Sequence, residues 1–240
     1  MYIRYEHYKK KINTKKIFRD IIYVYLIAVL FVLIFNSLFL QAYKIPSNSM
    51  EPQIQENSLV LVDKFSVGAK YPFSNKRFFN GIKNIERGDI IVFMSEQYMR
   101  NNKMFRVLST ITYTLSFSLI DLQNWDKKNI NTYIKRVIGL PGDRIKYEVE
   151  NNQIVVYIND KPEFQVINKP YQIIEENLDN SLLLSKMTLK KEYLVKENEF
   201  YVLGDNRVSS IDSRVWEGVT FDQIIGKAIL KYYPKIEVLK

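Results

Sequence analysis

Two periods of apolar residues divide the chain. From Ile21 to Tyr43 no residue is charged, and from Ile21 to Leu40 only Asn36 and Ser37 break an otherwise apolar run. About 20 such residues suffice to cross a bilayer as a helix. Beyond it the apolar stretches shorten to about five residues and become β-branched, bounded by turn or polar residues, which is the signature of strands. Leu59–Asp63, Asp89–Phe93 after the Arg87-Gly88 turn, Ile134–Ile138, Arg144–Val149, Ile154–Ile158, Glu199–Leu203 and Ala228–Tyr233 all read this way. Gly139-Leu140-Pro141-Gly142-Asp143 and Asn159-Asp160-Lys161-Pro162 are turn signals between them. Helical periodicity is weak elsewhere. The pattern predicts a mostly β protein: one N-terminal transmembrane helix, then a β-rich domain built as a folded sheet or barrel-like assembly.

Three regions follow: a basic tail over 1–20, an anchor over 21–43 and a folded domain over 44–240. Within the domain, 95–130 is an insert whose uncharged, hydroxyl-rich stretch Val107–Ile120 reads as an edge or interfacial segment. Residues 150–198 are polar, rich in Lys and Glu, without an evident chemical motif, and read as hairpins and loops. Of the formal charge of +9, the tail supplies +5. The excess therefore flanks a membrane segment, which predicts a cytoplasmic N-terminus and argues against nucleic-acid binding. A cleaved signal peptide is the rival reading, since Leu40-Gln41-Ala42 ends on a small residue; the length of the run and the missing small-x-small pattern favour a retained anchor. There is no cysteine, so disulfides and thiolate metal sites are excluded.

Just past the anchor, Ile45-Pro46-Ser47-Asn48-Ser49-Met50-Glu51-Pro52 fixes two serines between two prolines. Far downstream lie Tyr133-Ile134-Lys135-Arg136 and Gly204-Asp205-Asn206-Arg207, the latter followed by Ser210, Asp212, Ser213 and Arg214. The only histidine, His7, falls in the basic tail, so a Ser-His-Asp triad and a His-ligated zinc site are both excluded from the outer domain. Carboxylate-bound metals stay possible, although the Asp and Glu residues form no recognisable binding loop, and a serine activated by lysine is the natural candidate. Lysine acts as a base only when neutral, which at its ordinary pKa is about one molecule in a few thousand at neutral pH, so it needs burial. Strand alternation puts Tyr133, Lys135 and Val137 on one face and turns Arg136 away. The pattern alone leaves Lys135 either desolvated inside or exposed on a half-wet sheet.

These stretches, in this order behind one anchor, resemble the bacterial type I signal peptidases, membrane-bound serine–lysine enzymes that remove signal peptides. The likeness rests on Pro46-Ser47-Asn48-Ser49-Met50-Glu51-Pro52, on Arg87-Gly88-Asp89-Ile90-Ile91-Val92-Phe93, on Tyr133 through Asp143, and on Gly204 through Arg214. The resemblance implies Ser49 as nucleophile and Lys135 as general base. It implies Ser47 as an oxyanion donor beside the backbone N–H of Ser49, and Ser210 as the hydroxyl that orients the lysine. Tyr133, Arg136, Asp205, Asp212 and Arg214 become supporting groups. Ile45, Met50, Ile54 and Ile134 become the walls of shallow pockets selective for small side chains. It also implies no metal and no cofactor, a bacterial inner-membrane location with the catalytic domain outside, and signal peptides and the bilayer as partners.

The chain departs from that family at Gln53-Ile54, where Thr-Leu is common, at Val208, where an acidic residue is frequent, at Glu217 between Trp216 and Gly218, and in its long 95–130 insert. Two other functions stay in view. One is a serine–lysine peptidase that matures a single dedicated substrate or cleaves itself; the other is an inactive membrane-anchored accessory subunit.

Overall fold

The computed structural model describes residues 13–70, 76–79, 81–82, 84–95, 104, 107–109, 111–112, 132–174 and 192–239. Helix α1 runs Thr14–Leu38, capped by Asn13, whose side chain accepts from the backbone N–H of Lys16 at 3.2 Å. It is long and apolar enough to cross a membrane, and none of its residues is buried by the rest of the chain. The helix covers 21–38 of the anchor expected over 21–43. The helix begins earlier, and Leu40–Lys44, apolar enough to extend it, forms strand β1 instead because it finds a partner in β2. Apolarity fixes that a segment avoids water, not which backbone pairing achieves it. Phe39 stacks on Phe65 at 5.2 Å, and Lys64 Nζ donates to the Asn36 carbonyl at 2.9 Å, joining the last turn of α1 to the domain.

The remaining strands are β2 Leu59–Asp63, β3 Ile90–Met94, β4 Thr132–Gly139, β5 Arg144–Glu150, β6 Gln153–Ile158, β7 Lys161–Pro162, β8 Glu192–Leu194, β9 Glu199–Leu203, β10 Val219–Thr220, β11 Ile224–Tyr233 and β12 Glu237–Val238. The short helices α2 (Glu163–Val166) and α3 (Ser213–Trp216) interrupt them. The fold is mostly β, as expected. The larger sheet has the order β1-β2-β11-β3-β4-β9-β10, with β12 added beside β11, and its path ends at two edges rather than closing as a barrel. The smaller sheet is β7-β6-β5-β8. All these pairings are antiparallel, as hairpins and returning strands require.

Within 95–130 the described residues 104, 107–109 and 111–112 are helical; apart from residue 95 the rest of that insert, and all of 175–191, lie outside the described residues, as does His7. The hairpins expected in 150–198 are present as β5–β6 and β6–β7. Position β4 is what matters for function. It lies between β3 and β9, with Arg136 opposite both Ile90 and Leu203, while Lys135 faces Ile91 on one side only. Its burial is continuous from Ile134 to Gly139, because apolar clusters cover both faces.

Candidate active site

The serine loop is a compact double turn. The backbone N–H of Glu51 donates to Asn48 and that of Ile54 to Met50, at 3.1 and 2.9 Å. Its end is held from the Gly204 loop, where Asn206 N–H donates to the Ser49 carbonyl at 3.1 Å. These contacts place Ser49 over the end of β4. Lys135 Nζ lies 2.6 Å from Ser49 Oγ, and Ser47 Oγ is 3.3 Å from the same oxygen. Ser49 and Lys135 are 4% and 3% exposed, so a hydroxyl and an amine 86 residues apart in sequence meet out of water.

Burial lowers the Lys135 pKa to about 8, against Asp212 and Asp205, which raise it, and with help from Arg214. Its only hydrogen bond among the described contacts goes to a neutral hydroxyl. Tyr133, on the same face, stacks with Trp216 at 4.9 Å and Phe93 at 5.7 Å, and burial raises its own pKa.

Alternation turns Arg136 away from Lys135, and it enters a second interior environment: it has no exposed surface. Its Nε and Nη2 donate to the two Asp205 oxygens at 2.8 and 2.7 Å, its Nη1 to the Gly88 carbonyl at 2.7 Å, and Nη2 also to Gln53 Oε1. Tyr171 lies under the guanidinium, 4.3 Å from its centre. Both faces of β4 are interior, because it is a central strand covered on both sides.

A second ion pair shapes the 204–214 loop. Arg214 Nε and Nη2 grip Asp212 at 2.9 and 3.0 Å, and Asp212 also accepts the Gly204 N–H at 3.0 Å. Burial works against the Asp212 carboxylate, but Arg214 outweighs it and holds the pKa below the ordinary value. Ser210 is buried, and its hydroxyl finds no hydrogen-bond partner among the described residues, Lys135 included. Gly204 packs so closely that a Cβ there would sit 2.5 Å from the Ser49 carbonyl oxygen, so only glycine fits.

Ile45, Met50, Ile54 and Ile134 come together in one apolar cluster under the serine loop. Met50 and Ile54 have no exposed surface, while Ile45 and Ile134 reach it slightly, at 3% and 5%. Sequence reasoning assigned no chemistry to 150–198, and the structure corrects that. Glu163 of α2 holds Arg207 with both carboxylate oxygens, at 2.9 and 3.0 Å. Burial disfavours that guanidinium, yet the pair with Glu163 raises its pKa overall. Lys169 donates to Asp89, Tyr171 supports Arg136, and Ile174 exchanges backbone hydrogen bonds with the 205–207 segment. No local spacing betrays these partners; the one available signal was Arg207, a charge inside a loop otherwise destined for the interior.

A buried hydroxyl and a desolvated lysine thus meet in contact, with buried ion pairs around them. The signal peptidase, peptidase S26 family matches residues 18–233, and the chain belongs to it: it is a serine peptidase. Among curated relatives, Signal peptidase I of Buchnera aphidicola subsp. Schizaphis graminum is 28% identical over 247 residues, covering 82% of this chain and 69% of that protein. Signal peptidase I of Bacillus caldolyticus is 30% identical over 194 residues, 80% of this chain and 79% of that one. A crystal structure of a signal peptidase I from Enterococcus faecalis V583 is 23% identical and covers 60% of this chain and 97% of its own, with a TM-score of 0.33, too loose an overlay to carry an argument.

Proposed function

We propose that this serine peptidase is anchored in the bacterial inner membrane and cuts N-terminal signal peptides from exported precursors, using Ser49 and Lys135 through an acyl-enzyme. The supporting observation is the 2.6 Å contact between a buried hydroxyl and a buried lysine whose pKa has fallen to about 8. At pH 7 about one tenth of such a lysine is neutral, several hundred times more than at its ordinary pKa.

Neutral Lys135 takes the proton from Ser49 Oγ as that oxygen attacks the scissile carbonyl. The oxyanion is received by the Ser49 N–H and the Ser47 hydroxyl; such a donor is worth about 3–4 kcal/mol. Lys135 gives its proton to the departing amine, leaving the acyl ester on Ser49. It then takes a proton from water, which releases the signal peptide's carboxylate and restores the serine. The pocket edge formed by Ile45 and Ile134 admits small side chains one and three residues before the cut. Arg136, Asp205, Asp212, Arg214 and Tyr133 hold the two reacting groups in place. Residues 1–20 lie in the cytoplasm and 44–240 outside. Helix α1, 25 residues and about 37 Å long, is sufficient to span the ~30 Å hydrocarbon layer.

The test is cleavage of a labelled precursor with Ala at positions one and three before the cut, in detergent, across about pH 6–10. Wild type should gain activity with rising pH and level off above about 8, where Lys135 loses its proton. Ser49→Ala and Lys135→Ala should each lose at least about a thousandfold. Full activity in Ser49→Ala would sink the proposal.

A further inference from the structure

Gln53 is held by two buried cations at once. Its side-chain Oε1 accepts from Arg136 Nη2 at 2.5 Å, and its backbone carbonyl accepts from Lys231 Nζ at 2.7 Å. Arg136 belongs to β4 and Lys231 to β11, strands separated in the sheet by β3 alone. Neither cation is free to follow the loop. Arg136 is locked on Asp205 and Gly88, and Lys231, 4% exposed, is paired with Glu237 at 2.6 Å.

The consequence lies in the adjacency of Lys135 and Arg136. Lys135 meets Ser49 at one end of the double turn, and Arg136 meets Gln53 at its other end. One dipeptide of β4 therefore touches both ends of the loop that carries the nucleophile. Building on the Ser49–Lys135 reading above, we infer that Gln53 is a positioning residue that sets the separation between the Ser49 hydroxyl and the Lys135 amine. A misplacement of about 1 Å between reacting groups costs up to 10²-fold in rate, so this hold belongs to the turnover step more than to substrate binding.

The amide suits the task better than a carboxylate. Asp205, on the same guanidinium, already favours the charged form of Lys135. A second carboxylate on Arg136 would add to that effect, whereas an amide oxygen accepts the hydrogen bond without a charge. The conservative and the disruptive variant thus have different signatures.

The experiment uses the full chain in detergent, with kcat, KM and Tm measured for wild type, Gln53→Met, Gln53→Glu and Ser49→Ala over about pH 6–10. Gln53→Met keeps the length of the side chain and loses the acceptor. Its kcat should fall at least about tenfold with KM within about twofold and Tm within a few degrees. Gln53→Glu should recover kcat at the alkaline plateau while its acid limb moves to higher pH. Wild-type kcat in Gln53→Met, or equal losses in both variants at every pH, would overturn the inference. Should Gln53→Met fail to fold, Gln53→Glu decides alone, and a lowered plateau with an unmoved limb overturns it. Full activity in Ser49→Ala would remove the dyad itself, whereas an inert Ser49→Ala beside an unaffected Gln53→Met removes only the role of Gln53.

Discussion

On one face of β4 a lysine is buried against a neutral hydroxyl, and on the other an arginine is buried against a carboxylate, a carbonyl, an amide and an aromatic ring. The two residues are consecutive, and both are at most 3% exposed. What differs is the company. Asp212 and Asp205 act on Lys135 from a distance, but no carboxylate bonds to it, so desolvation prevails and its proton is loosened. Arg136 has nearly every N–H satisfied, so its charge is stabilised where it stands. One face leaves a lysine desolvated and its proton loosened; the other uses a permanent charge to knit three loops together. Burial alone therefore says little about a cation's role, and the partners decide it.

The sharpest way to break this comparison is to place methionine at each position in turn. Arg136→Met leaves Asp205 buried without a partner, which should destabilise the domain by about 3–5 kcal/mol. Pairing it with Asp205→Leu should restore much of that loss. Thermal or denaturant unfolding in detergent measures both, and a single variant as stable as wild type would mean that Asp205 finds water or another cation instead.

Lys135→Met should go the other way. A base whose pKa falls from 10.5 to about 8 on folding penalises the fold whenever it is protonated. The stability present above 10.5 is lost as pH falls toward 8 and stays low below that. That difference is about 3 kcal/mol. Lys135→Met should therefore unfold several degrees higher than wild type at pH 7, lose its activity, and lose the rise in stability between about pH 8 and 10.5. A Tm that drops at pH 7 would mean that Lys135 is less strained by burial than its surroundings imply.

How much of this contrast could be read from the sequence follows from what each element depends on. β2 and β9 appear with the boundaries that their apolar runs predict, because a short β-branched run between turns carries its own information. Ser49, Lys135, Asp205 and Asp212 were legible from ordered local motifs, and the structure brings all four into one buried region. The burial of Arg136 was not, because alternation distinguishes two faces but cannot say that both are covered. The braces Glu163, Lys169 and Tyr171 were less legible still. Their meaning lies in partners 44, 80 and 35 residues distant, and no spacing within 163–171 encodes them. The end of α1 was blurred for a related reason: Leu40–Lys44 is as apolar as a helix end, and only pairing with β2 makes it a strand.

The smallest effect tests the Arg136 face most finely. Tyr171 offers it a ring at 4.3 Å, while the Tyr171 hydroxyl is buried and finds no partner among the described residues. The two halves of the side chain thus pull in opposite directions: the π face stabilises the guanidinium by about 0.5–2 kcal/mol, and the orphaned hydroxyl costs about 1–3 kcal/mol when it lacks a bond. Tyr171→Phe keeps the first and removes the second, so its stability should be level with wild type or higher by up to about 1 kcal/mol, with kcat unchanged. Tyr171→Leu removes both and gives up the ring, so it should fall below Tyr171→Phe by about the cation–π term. Comparing the two variants, rather than either with wild type, isolates the ring's contribution. If they unfold together, the aromatic face adds nothing to Arg136, and the carboxylate of Asp205 with its two hydrogen bonds carries that side of β4 on its own.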